Sequence, residues 1–394
     1  MIKYIFLILI SFNIAFSQSY NDILRNIIKN NLEIKAYREQ LNSIKFESKT
    51  GLLPQNPSIE YSYLSGIGLI PGNKQELTIS QPFEFPSIYF LKSDIASYQI
   101  KYYENKFKEL MLQVFENAQD ILMNYIYQTK LVAELEQRSI SSENMLNTIQ
   151  TRFDAGDVGI LELNKVKSSY SVDKTKLNIA KLNLRSFKFE LINLNGGESF
   201  EINLNEYFQV ELISNFDSLF LKIKDLDNYL NTLIYEEKLF DKKLSLAKSG
   251  WLPNFDIGYR YENEPEFEYR GIQLQMSIPL FENSNKVPKA LSDINFINLN
   301  KQSYLSGLSI KKKILFEKSI ELKKSMDEQK ELIDFSQLEL NEKSYKLGHI
   351  SLTQYYLDNQ LYYEILDNIL INELEYYKTI SNLYSQIIFS EIIN

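Results

Sequence analysis

Few of the 394 residues are equipped for chemistry. There is no cysteine, which excludes thiolate nucleophiles, thiolate metal sites, disulfides and a lipid carried on an N-terminal cysteine. The one histidine, His349, stands alone, and a lone histidine reads as a surface residue rather than a metal ligand. The sequence lacks HExxH, GxSxG, GxxxxGK and GxGxxG, the patterns that would hold zinc, expose a serine or cradle phosphate. Carboxylate pairs along the helix-period segments fit solvated faces. No enzyme activity, cofactor or metal is expected. A formal charge of -8 without any basic stripe also removes nucleic acid as a partner. What remains is two glycine breaks, "RFDAGDVGILE" and "YKLGHISLTQ", the first of them rich in acidic residues, and aromatic residues in and beside two proline-rich stretches.

The elements that position these residues begin with export. MIKYIFLILISFNIAFSQS has Lys3, an apolar run from Tyr4 to Ile14 and small residues at Ala15 and Ser17. That is the plan of a secretory signal over residues 1–17, with the mature chain starting near Gln18. No later run reaches about eighteen apolar residues, so a mature chain that enters a membrane must do so as strands of a closed barrel.

Helix breakers then divide the chain. All nine prolines fall within residues 54–86 and 253–288. Gly51 and Gly250 stand at the entrances to these windows, Gly156, Gly159 and Gly348 at the two glycine breaks, and Gly196 and Gly197 at mid-chain; Gly307 is left to mark a helix junction or kink. Between the breakers, apolar residues alternate in steps of three and four. One seam runs Leu163, Val166, Tyr170, Asp173, Leu177, Ala180, Leu184, Phe187, Leu191, Leu194; another joins Leu219, Ile223, Leu226, Leu230, Leu233, Glu237, Phe240, Leu244 and Ala247; a third passes through Tyr362, Leu366, Ile369, Glu373, Tyr376, Ile380, Leu383 and Ile387. These are coiled-coil seams. Inside the proline windows the period changes to two. Ile59, Tyr61 and Tyr63 alternate with polar residues, as do Leu77 and Ile79, then Ile257, Tyr259 and Tyr261, then Leu274, Met276, Ile278 and Leu280. Each window reads as a β-hairpin with one apolar and one polar face, over 57–84 and 254–281.

The two halves match. "NPSIEYSY" aligns with "NFDIGYRY", placing residue 257 on residue 59, an offset of about 198; the glycine breaks align residue 348 with residue 156, an offset of about 192. The chain is thus two copies of helix, hairpin, long helix, tip and helix. Repeat 1 covers 18–196 with its tip at 152–160, a linker covers 197–217, and repeat 2 covers 218–394 with its tip at 344–351. A helix from Phe90 to Arg152 would be roughly 90 Å long, far more than a globular core uses. Two hairpins supply four strands, fewer than the minimum of about eight in a membrane barrel. The wall would have to be shared, and three copies supply twelve strands.

At this point the sequence resembles the outer membrane efflux protein family, the TolC-like channels, over essentially the whole mature chain. The resemblance is carried by the two tip sequences, "RFDAGDVGILELNKVKSSYSVDKTKL" and "SYKLGHISLTQYYLDNQLYYEI", together with "WLPNFDIGYRY" before the third strand and "LQMSIPLFENS" at the exit of the fourth. It implies a mainly α fold with membrane β-structure: a homotrimer whose twelve-stranded β-barrel sits in the outer membrane of a Gram-negative bacterium and continues into a long periplasmic α-helical coiled-coil barrel. It implies a passive exit duct of a tripartite efflux or type I secretion system, working with a periplasmic adaptor (membrane fusion) protein and an inner-membrane pump. Arg152, Phe153, Ala155, Gly156, Tyr345, Leu347 and Gly348 would then form the tips that meet the adaptor. Acidic residues near the tips form cation-attracting rings in this family, six residues after the tip glycine. That position is Glu162 in the first copy and departs to Gln354 in the second. Asp154, Asp157 and Asp358 are the other candidates, each equally compatible with a solvated surface. Trp251, Tyr61, Tyr63, Tyr259 and Tyr261 would suit the interface with outer-membrane lipid or packing between barrel and helices. The competing reading is an exported periplasmic coiled-coil scaffold or adhesin without a pore, which explains the seams and the signal but not the paired hairpins.

Overall fold

A computed structural model of the protein describes residues 19–67, 72–334 and 336–393; the expected signal at 1–17 lies outside the described residues. The elements run α1 (Tyr20–Asn30), α2 (Leu32–Glu47), β1 (Ser58–Ser65), β2 (Asn73–Phe83), α3 (Pro86–Asp154), α4 (Ile160–Leu194), α5 (Phe216–Leu226), α6 (Asn228–Ser249), β3 (Asn254–Glu264), β4 (Phe267–Ser277), α7 (Lys286–Leu332), α8 (Gln337–Lys346) and α9 (Leu352–Ile393). The strands occupy the proline windows, and everywhere else the described chain is helix, short turns or the linker. Contacts divide the chain into two units. Of the described residues, one unit comprises those up to Leu32, Gln113–Phe216 and those from Lys313 onward; the other comprises those within Glu33–Leu112 and Asp217–Lys312.

In the first unit, helices bury the heptad faces. Every member of the seam from Leu163 to Leu194 is buried or half-buried, including Asp173, while the residues between are almost all exposed. Helix α1 is started by Ser19, whose hydroxyl accepts the Asp22 N–H while the Asp22 carboxylate accepts the Ser19 N–H, a reciprocal cap. Its Ile23, Leu24 and Ile27 are buried, as are Phe115 of α3 and Phe389 of α9, whose rings lie 5.4 Å apart. The linker between α4 and α5 has no regular structure yet is held firmly. Tyr207 stacks on Tyr377 at 4.4 Å, the Tyr125 hydroxyl donates to the Ile202 carbonyl at 3.1 Å, and the Ile213 N–H donates to the Tyr384 hydroxyl at 2.8 Å.

Two details of the later helices depart from the sequence reading. Helix α7 passes through Gly307 without interruption, so no junction lies there. Helix instead gives way after Leu332, and α8 starts afresh at Gln337, so the second repeat has two helices where the first has the continuous 69 residues of α3. Both the N–H and the hydroxyl of Ser336 donate to the Asp334 carboxylate, at 2.9 and 2.7 Å, which stabilises a turn in place of helix.

In the second unit the seam through α5 and α6 is interrupted at Leu226, which is exposed although its heptad position is apolar. The cause is Asp227. Its buried carboxylate accepts the Leu230 N–H at 2.7 Å and the Tyr304 hydroxyl at 2.8 Å, so it ends one helix and caps the next, and burial resumes at Leu230 and Leu233. The four strands form one antiparallel sheet in the order β1-β2-β3-β4. Ile59 pairs with Ile79, Ile79 with Tyr259 and Tyr259 with Ile272, so one row of the sheet is apolar throughout. The alternation expected at Ile278 and Leu280 does not continue as strand, because β4 ends at Ser277.

Candidate functional site

The two tips are built alike. Helix α3 ends in Gly156 at φ 84°, where the Asp157 N–H donates to the Arg152 carbonyl at 2.8 Å and the Gly156 N–H to the Phe153 carbonyl at 2.9 Å. Helix α8 ends in Gly348 at φ 74°, where the His349 N–H donates to the Ser344 carbonyl at 2.9 Å and the Gly348 N–H to the Tyr345 carbonyl at 2.9 Å. These nested bonds are a left-handed helix cap, which satisfies the last carbonyls and reverses the chain within a few residues. The next helices begin at matched positions, after Gly159 and after Ser351. At the second, the Ser351 hydroxyl accepts the Gln354 N–H at 3.1 Å, while Gly159 has no side chain to cap with.

Packing brings the two tips together. Met145, Ile149, Leu163, Val166, Leu352 and Tyr355 form a buried cluster, with Phe153, Val158, Tyr345 and Ile350 packed against it. Arg152 donates to the Tyr345 hydroxyl at 3.4 Å and Lys165 to the Thr353 hydroxyl at 3.0 Å, tying one tip to the other. Burial pushes the Tyr345 hydroxyl above its ordinary range, against the pull of Arg152. Of the predicted tip residues, Phe153 and Tyr345 are thus half-buried supports; Arg152, Ala155, Gly156, Leu347 and Gly348 are exposed, as are Ile160 and Leu161.

The sheet has two unlike faces. One carries Ile59, Tyr61, Tyr63, Ile79, Ile257, Tyr259, Ile272, Leu274 and Met276, all exposed. On the other, Lys74 bonds Glu76 at 2.6 Å, Glu262 at 3.1 Å and Glu264 at 3.3 Å, and Arg260 bonds Glu262 at 2.5 Å and Glu76 at 3.4 Å. Tyr61, Tyr63 and Tyr259 therefore lie on an unburied apolar face, Tyr261 shares that face by register, and Trp251 is exposed in the turn leading to β3. An exposed apolar surface of this extent in a monomer marks an interface with protein or lipid.

No protein-family model and no curated protein matches the sequence. Solved structures do. The chain is similar to the CmeC outer membrane channel of Campylobacter jejuni, with a TM-score of 0.71 at 17% identity, over 94% of this chain and 85% of that one. It is similar to the open state of the MtrE outer membrane channel of Neisseria gonorrhoeae, with a TM-score of 0.73 at 10% identity, over 93% of this chain and 88% of that one. The outer membrane protein VceC of Vibrio cholerae gives a TM-score of 0.68 at 10% identity, over 94% of each chain. The chain shares their fold.

Against that outer-membrane-channel fold, the acidic candidates are dispersed. Glu162 is exposed in the first turn of α4, and Asp157 is exposed at the tip itself. Asp154 accepts the Gln150 amide at 2.9 Å, and half-buried Asp358 accepts the amide of Gln354 at 2.6 Å. Among the described residues no three of His, Asp and Glu converge as a metal site would require. Within one chain the carboxylates therefore do not form a ring, and any ring needs copies of the chain.

A polar constellation farther along the same helices from the tip cluster was not predicted. Arg138 of α3 is 3% exposed; it pairs with both oxygens of Asp367 on α9, at 3.1 and 2.7 Å, bonds Glu134 at 3.1 Å, and lies 4.3 Å from the Tyr363 ring centre. Beside it, a cavity of 420 Å³ is bordered by Asp173, Tyr356 and Asn359. Burial pushes the Asp173 carboxyl upward, opposed by a hydrogen bond from Ser142 and by the charges of Lys176 and Arg138. Asp173 is the single polar residue of its heptad seam, and that exception is the one signal in the sequence pointing here.

Proposed function

We propose that this protein is the outer-membrane exit duct of a tripartite efflux or type I secretion system. Three copies would close a twelve-stranded barrel in the outer membrane of a Gram-negative bacterium, and their helices would form a periplasmic conduit. The observation that carries this reading is the sheet: four strands, one face mostly apolar and exposed, the other holding the ion pairs, with β1 and β4 as its edges among the described residues. Such a sheet cannot sit in a bilayer by itself, because its edges would leave backbone groups unpaired in lipid. Two copies would give eight strands, whose interior side chains fill. Three leave a lumen in which the ion-paired face meets water. An exported scaffold or adhesin has no use for a sheet that displays its apolar face.

The exposed tip surface would dock a periplasmic adaptor, through Ala155, Gly156, Leu347 and Gly348, with Arg152, Phe153 and Tyr345 holding its shape. The adaptor would connect the duct to an inner-membrane pump. Repeated by three-fold symmetry, Glu162, with Asp154, Asp157 and Asp358, would place negative charge around a narrow entrance and favour cations there. Trp251 and the tyrosines of the apolar face would contact outer-membrane lipid. Transport is passive, and no bond is made or broken by the chain.

The test is reconstitution. Protein taken from the outer-membrane fraction should migrate as a trimer that heat dissociates, and should give ion-conducting steps in a planar bilayer; monomers that leave the bilayer silent would end the reading. In the conducting protein, Glu162→Gln should lower the cation-to-anion permeability ratio. An unchanged ratio would remove Glu162 from the entrance.

A further inference from the structure

The apolar face of the sheet does not end with the strands. Phe83 closes β2, and Phe255 and Ile257 open β3 on the same face, Phe83 being paired directly with Phe255. The chain then turns into α3, and Pro86, Tyr89 and Phe90 of its first turn complete a groove of 540 Å³ with those three. That is within the roughly 300–1,000 Å³ of sites for small molecules. Phe90 is 75% exposed. The one charged residue at the groove is Glu84, and it is already satisfied: its carboxylate pairs with Lys92 at 2.5 Å and its N–H donates to the Tyr89 hydroxyl at 3.0 Å. The groove therefore offers apolar walls and no free charge.

We propose that this groove seats an acyl chain of a phospholipid at the periplasmic boundary of the membrane. The inference rests on the barrel reading above, which makes the apolar face the lipid-facing one. Continuity with that face identifies the occupant as lipid. A second copy of the chain is a poor alternative, because the groove lies on the central strands β2 and β3, whereas neighbours would add at the β1 and β4 edges. Pro86 stiffens the floor by fixing the first helical residue, where its missing N–H costs nothing. A preformed apolar groove at that height would hold the duct at a set depth in the membrane.

Trp251 is the only tryptophan, so Trp251→Phe gives a dark background for reporters. In that background Phe90→Trp places a reporter in the groove, and Ile272→Trp places one on the middle row of the sheet. Full-length protein is reconstituted into phosphatidylcholine vesicles whose acyl chains carry bromine at shallow or deep carbons. The sheet reporter should be quenched by the deep label. The groove reporter should lose at least half its emission to the shallow label and less to the deep one, and adding Phe255→Ser, which removes one wall, should roughly halve that quenching while leaving the sheet reporter as it was. Quenching at residue 272 without quenching at residue 90 would overturn the groove and spare the barrel. Quenching at residue 90 that ignores Phe255→Ser would mean a side chain facing bulk lipid, and would also overturn the seated chain. Absence of quenching at both would overturn the barrel reading as well.

Discussion

Gly156 and Gly348 hold their turns at φ 84° and 74°, where a side chain of ordinary chirality costs about 1–2 kcal/mol. No atom lies within 4 Å of a Cβ built on either, so the cost is one of backbone alone. Gly159, three residues after the first, sits at φ −85° and ψ 162°, open to any residue, and its counterpart Ser351 caps α9. Gly156→Ala should therefore lower the thermal midpoint by the equivalent of about 1–2 kcal/mol, and Gly159→Ser should raise it by roughly a few tenths of a kcal/mol, both read from circular-dichroism melts in detergent. Equal responses at the two positions would contradict the left-handed cap. Asp227 poses a residue-scale question of another kind. Burial pushes its carboxyl upward, against the hydrogen bonds of Leu230 and Tyr304 and the charge of Lys312. A carboxyl whose folded pKa exceeds its unfolded value binds its proton more tightly in the folded state, so its contribution to stability is least at neutral pH and grows as pH falls into the window just above the ordinary carboxylate range. Asp227→Asn keeps an oxygen for the Leu230 N–H and cannot titrate. The stability difference between the two proteins should move in favour of the native Asp227 as pH falls from neutral through that window; a difference that stays constant with pH would show that Asp227 ionises as an ordinary surface aspartate does.

At the scale of the element, the coiled coils mix seam residues with buried polar pins. In α8, Asn341 donates its amide to Asn359 of α9 at 2.9 Å, both side chains being buried. A pair of this kind fixes register at some cost in stability. Asn341→Leu alone should destabilise by about 1–3 kcal/mol because it leaves the buried Asn359 side-chain oxygen without this donor, while Asn341→Leu with Asn359→Leu should recover most of that loss. A double-mutant cycle of melts measures the coupling, and additive losses would mean the pair makes no mutual bond. The seams around such pins are legible in the sequence, because burying one face of a helix is a local, periodic property. The breaks are less so. Leu226 obeys its heptad and is nonetheless exposed, because Asp227 finds a partner in Tyr304, which lies 77 residues away. The interruption before α8 rests on Asp334 and Ser336, two polar residues among many on an otherwise helical run. Arg138 sits in the unremarkable polar stretch ELEQRS, and its meaning comes from Asp367, 229 residues distant. Tip glycines and hairpins can be read in advance because their chemistry is confined to a few neighbours; pairings across the fold cannot.

At the scale of the whole molecule, two strand edges govern assembly. Among the described residues β1 and β4 each leave one side unpaired, and edges of this length invite another chain. If like chains meet by pairing β4 of one copy with β1 of the next, the contact is heterologous, and it must either close into a ring or propagate without limit. The tilt and stagger of the strands decide which, and a closed barrel needs them to agree. Because the chain has no cysteine, engineered thiols report this contact without background. Ser62→Cys on β1 can be combined in turn with Gly271→Cys, Gln273→Cys and Gln275→Cys on β4, all on the face that carries the ion pairs. Within a single chain the two edges are separated by the whole width of the sheet, so an oxidised product must join different copies. For the combination that matches the register, non-reducing gels should show one, two and three chains and nothing larger, with the trimer band growing at the expense of the others as oxidation proceeds. A ladder running past three would mean an open filament, a stop at two would mean a filled eight-stranded barrel, and either would rule out a three-chain lumen.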